Sequence, residues 1–318
     1  MSKSILPKVA KPIRYEVKLD IDLDNFKYNG SQTVELEIIK ETTSFEVNAI
    51  DIEIISASLL NEADFKVDLR FEYMKDLERI FFSADENIPI GNYSLKLQFN
   101  STITNDLKGF YKSKFLDLND NEKWIATTQF EPTSARSAFP CWDEPEHKAV
   151  FSITLISHRK YLRVSNEKVL EENILEDGRV ETIFVDSMKM STYLVAFIIG
   201  ELEVTEIGRV GDTQIRIIHR PGFSHQTNFA GIASMKILEF FENYYQIPYP
   251  GSKLDLIAIP DFAMGAMENV GAVTFREGLL LIDESKATRQ ELSRSVSVIA
   301  HELAHMWFGD LVTMKWWD

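Results

Sequence analysis

Two histidines four residues apart bracket a glutamate in the string His301-Glu302-Leu303-Ala304-His305. On a helix such a pair leaves one face, roughly 6 Å apart, and two imidazoles so placed can share one zinc ion. Glu302 is turned about 100° round the helix axis. That makes it a poor third ligand, but its carboxylate can reach a water held on the metal, the position of a general base. The alternative is an amphipathic helix that carries two histidines by chance.

Two further stretches are candidates for chemistry. Between Pro260 and Gly271 a run of small residues with two glycines carries one carboxylate, Glu268. It reads either as a glycine-rich turn with a solvated glutamate or as a sheet-edge segment that accepts a peptide by strand addition. In the second case Glu268 would receive a positive charge. From Thr127 to Pro145 runs a long, proline-punctuated loop, and long ordered loops often carry function. Within it Arg136 and Asp143 read as a structural pair.

These residues need elements to hold them. Thr288 and Glu291 fit a capping box, and Val296, Ile299, Leu303 and Trp307 form a core-facing stripe on the histidine helix. Gly309 fits its stop. A second helix is expected over 229–245, with Ile232, Met235, Leu238, Phe241 and Tyr245 on one face. Leu254 to Ile259, Thr274-Phe275 and Leu279 to Ile282 read as strands, the first of them buried. Upstream the period is two. Tyr15, Val17, Leu19, Ile21 and Leu23 alternate with polar neighbours, as do Val34, Leu36 and Ile38, and Tyr93, Leu95, Leu97 and Phe99. Asn29-Gly30 and Ile90-Gly91-Asn92 read as turns. This texture predicts antiparallel sheet with one wet face, and the apolar run Ser191 to Gly200 a buried strand. The chain is therefore read as a large all-β domain, residues 1–204, followed by an α+β domain, residues 205–318.

The chain has 318 residues, 45% of them hydrophobic, and a net charge of −15. Such a balance argues against nucleic acid or an anionic membrane as partner. The single cysteine, Cys141, allows no internal disulfide. No apolar run is long enough for a membrane span, and the first residues carry no signal-peptide pattern. The reading is a soluble, cytoplasmic protein.

Gly265-Ala266-Met267-Glu268-Asn269, followed by His301-Glu302-Leu303-Ala304-His305 and then Trp307-Phe308-Gly309-Asp310-Leu311-Val312-Thr313-Met314, resembles the M1 family of zinc aminopeptidases. Thr128-Gln129-Phe130-Glu131-Pro132 through Pro145 is also similar, and the likeness runs over nearly the whole chain. It is nearest the puromycin-sensitive and archaeal tricorn-factor types. The resemblance implies a saddle-like β domain followed by a thermolysin-like catalytic domain. It implies that His301 and His305 bind Zn2+ and that Glu302 is the general base. Glu268 and Glu131 would hold the α-ammonium group of a peptide with a free N-terminus. Gln129 and Met267 would shape the first side-chain pocket, and Gly265, Ala266 and Asn269 would contact substrate. The family's third zinc ligand, a glutamate, falls past Asp318, so the expectation is that residues 1–318 alone bind zinc weakly unless Asp310 or Asp318 completes the site. Two other readings stay open: a related hydrolase that also opens epoxides, and a catalytically dead peptide-binding scaffold.

Overall fold

In the computed structural model the alternation beginning at Tyr15 becomes the strand Ala10–Asp22, with Tyr15, Val17, Leu19 and Ile21 buried and Glu16 and Lys18 in solvent. The structure describes residues 5–61 and 66–318; the first four residues of the N-terminal stretch read above lie outside them.

This strand pairs antiparallel with Lys27–Ile38, placing Tyr15 opposite Val34. Its other neighbour, Val150–His158, runs parallel, with Tyr15 opposite Phe151. The sheet is thus mixed rather than purely antiparallel. The chain leaves it after residue 102 and returns near residue 150, and a connection that long permits a parallel return. The rings of Tyr15 and Phe151 stack at 4.9 Å across that seam. Eight strands form the sheet, in the order 169–174, 179–184, 150–158, 10–22, 27–38, 91–102, 53–60, 66–68. Asn29 and Gly30 are not a turn. They lie inside Lys27–Ile38, and the turn falls at residues 23–26, where Phe26 takes φ 54°. Glycine is required at position 30 for closeness: a Cβ there would lie 2.2 Å from the Phe99 ring.

A four-stranded sheet, ordered 162–165, 197–200, 122–129, 109–116, carries the loop-bearing strand Glu122–Gln129. The apolar run from Ser191 divides into a short 3-10 turn, Thr192–Leu194, and the fully buried strand Phe197–Gly200. Only its second half is strand.

The C-terminal part is built on a five-stranded sheet, in the order Glu203–Val210, Thr213–His219, Lys253–Ile259, Ala272–Arg276, Ala266–Met267. The central three strands are parallel and Lys253–Ile259 is buried throughout, as expected for a strand covered on both faces. Ile257 and Ile259 join the core of the β region, while Leu254, Leu256 and Ala258 face the helices. Helix α1, Asn228–Tyr245, is the crossover between two of those parallel strands. Its buried face is Ala230, Gly231, Ser234 and Leu238, and Ile232 points to solvent, 42% exposed. Of the expected face, Leu238 is buried and Met235, Phe241 and Tyr245 pack against the core. Only Ile232 is turned out, because α1 approaches the sheet so closely that a Cβ on Gly231 would stand 2.6 Å from Ile207. Leu279 to Ile282 is not a strand. A single helical turn, α2, Glu277–Leu280, buries the same leucines; a short apolar run fits either state.

Helix α3, Arg289–His305, has both bonds of the capping box: Glu291 N–H donates to Thr288 Oγ1 at 3.2 Å and Thr288 N–H to Glu291 Oε2 at 2.8 Å. Ile299, Leu303 and Trp307 are buried as read, but Val296 is half turned out and Ser295 takes the inward position. The helix ends at His305, four residues before Gly309. No helix among the described residues is long and apolar enough to cross a membrane.

Candidate active site

The last turn of α3 presents His301 and His305 with their Nε2 atoms 3.1 Å apart. His305 donates its Nδ1 hydrogen to the Phe308 carbonyl at 2.9 Å, so its Nε2 lone pair faces outward. Two nitrogens on one tetrahedral zinc at about 2.0–2.1 Å lie roughly 3.3 Å apart, so the pair fits such an ion. Among the described residues no third His, Cys, Asp or Glu brings a ligand atom within 4.8 Å of both. Asp310 therefore does not complete the pair. It is fully buried, with neither carboxylate oxygen hydrogen-bonded.

Beside the histidines, the edge strand Ala266–Met267 pairs antiparallel with Ala272–Arg276. The Pro260–Gly271 stretch is thus at a sheet edge, and Glu268 is not a solvated turn residue, being only 6% exposed. Glu268 Oε1 lies 3.9 Å from His305 Nδ1. Gly265 is exposed and Ala266 half-buried, along the open side of the sheet. Asn269 turns inward, its amide donating to Ala272 O and Thr274 Oγ1.

From the other side, the strand ending at Gln129 brings Gln129 Nε2 to 3.4 Å from Met267 Sδ. Glu131 follows, half-buried, across a cis bond to Pro132. Arg136 and Asp143 do pin the loop, Nε to Oδ2 at 2.9 Å.

The electrostatics bind these pieces together. Burial, with the charges of Glu268 and Glu131, pushes the Glu302 carboxyl up to about 8. Burial and Glu268 raise Glu131, against the opposing pull of His305. Asp310 lies well above the carboxylate range, chiefly through burial and then Glu268, with Lys148 opposing. Among the described residues no group donates a hydrogen bond to Glu131, Glu268 or Glu302. Buried carboxylates without internal donors call for cations. A divalent metal and a substrate ammonium are two such cations.

Two residues beyond the sequence reading also meet here. Tyr193 donates its phenol to Gly309 O at 3.1 Å, and Lys148 Nζ reaches Asp310 O at 2.8 Å, so the β region clamps the turn after α3. A polar ring inside an apolar run gave no periodic signal for Tyr193. A separate cluster, Glu144, Glu146 and His147, has local partners for most of its atoms. Lys8 pairs with Glu146, the Leu6 amide donates to Glu144 Oε1, and His147 Nε2 lies 3.5 Å from Glu144 Oε2, which accepts no hydrogen bond.

Two family models match the sequence. The Peptidase M1 N-terminal domain matches residues 11–194, and the Peptidase family M1 domain matches 229–318. The chain belongs to peptidase family M1. M1 relatives include a puromycin-sensitive aminopeptidase of Caenorhabditis elegans, 40% identical over 98% of this chain and 33% of its own length. Aminopeptidase M1 of Arabidopsis thaliana is 39% identical, covering 98% of this chain and 36% of the relative. Endoplasmic reticulum aminopeptidase 2 of Homo sapiens is 38% identical over 98% and 33%. The chain spans about a third of the length of these M1 relatives.

Proposed function

We propose that this chain carries the substrate-binding residues and two of the metal ligands of a zinc aminopeptidase that removes N-terminal residues from peptides. One observation carries the reading. A single side chain, His305, spans both chemistries: its Nε2 is 3.1 Å from His301 Nε2, and its Nδ1 is 3.9 Å from the Glu268 carboxylate. A metal held there and an ammonium held at Glu268 would be about one residue of peptide apart, so cleavage falls after the first residue.

His301 and His305 are proposed as two of the zinc ligands. Zinc, when bound, would supply a Lewis acid for the scissile carbonyl and a lowered water pKa. Glu302 takes the proton from the attacking water and returns it to the leaving amine. Glu268 and Glu131 hold the substrate ammonium, whose charge offsets theirs. Gly265 and Ala266 align the substrate backbone along the sheet edge. Gln129 and Met267 shape the pocket for the first side chain, and Asn269 acts through its own turn. The proposal includes a saddle-like β domain over 1–204, a thermolysin-like domain over 205–318 and a cytoplasmic setting. The family-model matches, which end at 194 and resume at 229, support a boundary between them.

The test uses matched peptides with free and acetylated N-termini on the zinc-loaded, full-length protein. Free peptides should be cleaved and acetylated ones not, with Glu268→Ala narrowing the difference. Equal cleavage of both by the wild type removes the aminopeptidase reading.

A further inference from the structure

The Glu268 carboxylate has no hydrogen-bond donor among the described residues, so no donor corrects its aim if its backbone shifts. On its N-terminal side that backbone is the Ala266–Met267 edge strand, held by Phe275 and Thr274. On its C-terminal side is the corner Asn269–Gly271, and there an unusual number of groups converge from two separate parts of the fold.

Asn166, which follows the β-region strand Leu162–Ser165, donates Nδ2 to Val270 O at 2.9 Å. The same amide donates to Leu194 O at 2.7 Å and accepts from Ala196 N–H at 3.0 Å. Lys253, at the head of the buried central strand, donates Nζ to Gly271 O at 2.6 Å and to Ser165 O at 2.9 Å, with Asp255 Oδ2 at 2.7 Å. Tyr249 OH accepts the Gly271 N–H at 3.0 Å. Gly271 sits at φ 73°, and a Cβ on it would fall 1.9 Å from Asn166 O. The corner is therefore pressed against the β region as closely as backbone allows.

Lys253 is 3% exposed. Burying an ammonium is expensive, and an apolar residue would fill a strand position at lower cost. Its geometry shows what the charge does: one ammonium group ties a carbonyl of the β region to the carbonyl three residues after Glu268.

We propose that Asn166 and Lys253 are positioning residues that set where Glu268 stands relative to the metal histidines, and so set the enzyme's requirement for a free N-terminus. The inference rests on the reading of Glu268 as the ammonium anchor. Asn166 and Lys253 thereby act on specificity through a backbone corner, without touching substrate themselves.

The readout is the ratio of kcat/KM for a free-amine peptide to that for its acetylated twin, in the zinc-loaded, full-length protein. That ratio does not depend on how much of a preparation is folded, so a variant that merely loses stability leaves it unchanged. Lys253→Met keeps the side-chain length, and Asp255 retains Arg216 at 2.7 Å. Asn166→Asp keeps the shape and the acceptor for Ala196. Each variant should lower the ratio at least tenfold, mainly through a higher KM for the free-amine peptide. Zinc content per chain should stay at the wild-type value. Calorimetry with an amino-acid amide gives a second measure, in which binding should weaken by a similar factor. If the wild type does not discriminate, the ammonium-anchor reading itself fails. If the wild type discriminates, Glu268→Gln does not, and Lys253→Met and Asn166→Asp both keep the wild-type ratio, the positioning role is overturned.

Discussion

His305 and Phe308 are joined by one hydrogen bond, Nδ1–H to carbonyl at 2.9 Å, and that bond decides which imidazole nitrogen is available to a metal. The carbonyl is held by a tight turn in which Gly309 N–H donates to Val312 O at 2.9 Å. Gly309 has φ 140°, and a Cβ there would lie 3.0 Å from His305 Nδ1. Gly309→Ala should therefore strain the turn and displace the ring. We expect zinc affinity to fall by about 10–100-fold, the usual cost of losing an outer-shell partner. Competition with a chromophoric chelator measures it; unchanged affinity would mean that the turn does not orient the ring.

Glu302→Gln keeps the size of the side chain and removes its ability to take a proton. Turnover should drop by about 10²–10⁴-fold while zinc content is retained. Steady-state kinetics and metal analysis on one preparation check both halves of the statement.

The same carboxyl makes stability depend on pH. Glu302 is raised from 4.5 to about 8 in the folded protein, so between those values the unfolded chain releases a proton that the folded one keeps. Stability linked to this group is complete below about pH 4.5 and is lost as pH rises through about 8. The metal-free protein should melt at progressively lower temperature across that window, and Glu302→Gln should flatten the decline. A parallel decline in the Gln form would assign the effect to other groups.

Thr288→Ala removes the acceptor for Glu291 N–H and dismantles the capping box of α3. The expected cost is about 1 kcal/mol, read as a shift in the denaturant midpoint. Because the cap stands four turns from the histidines, zinc stoichiometry should not change.

Gly30→Ala drives a methyl into the Phe99 ring. Overpacking of this kind costs about 1–3 kcal/mol. Phe99→Leu in the same chain should recover part of the loss, and the two changes should be strongly non-additive in thermal unfolding.

Much of this was legible from spacing. Tyr15, Val17, Leu19 and Ile21 showed their strand because one sheet face is wet, and Thr288 with Glu291 showed the start of α3 because a cap uses side chains three residues apart. The pairing of Ala10–Asp22 with Val150–His158 was not legible, since period two says which face is buried and nothing about which strand lies alongside. Ile232 misled for a related reason: bulk usually marks the inner face, but α1 approaches its sheet through Gly231 and Ser234. Within the site, the histidine pair and Glu268 stood out as chemistry at helical spacing or alone in a small-residue stretch. Asn166, Tyr193 and Lys253 did not, because each acts through backbone carbonyls more than 15 residues distant in sequence, which leave no mark on local pattern.

The parallel seam between Ala10–Asp22 and Val150–His158 also bears on how the chain is made. The earlier strand leaves the ribosome long before its neighbour is translated. At ordinary synthesis rates the interval is on the order of ten seconds. Throughout it Tyr15 lacks the ring of Phe151, and one edge of the forming sheet stays open. Open edges invite pairing with other chains. The charges that alternate along this strand, Lys11, Arg14, Glu16, Lys18 and Asp20, are well placed to discourage it. The side chains that keep the finished sheet's outer face wet are therefore the same ones that put charge along this edge while it is open.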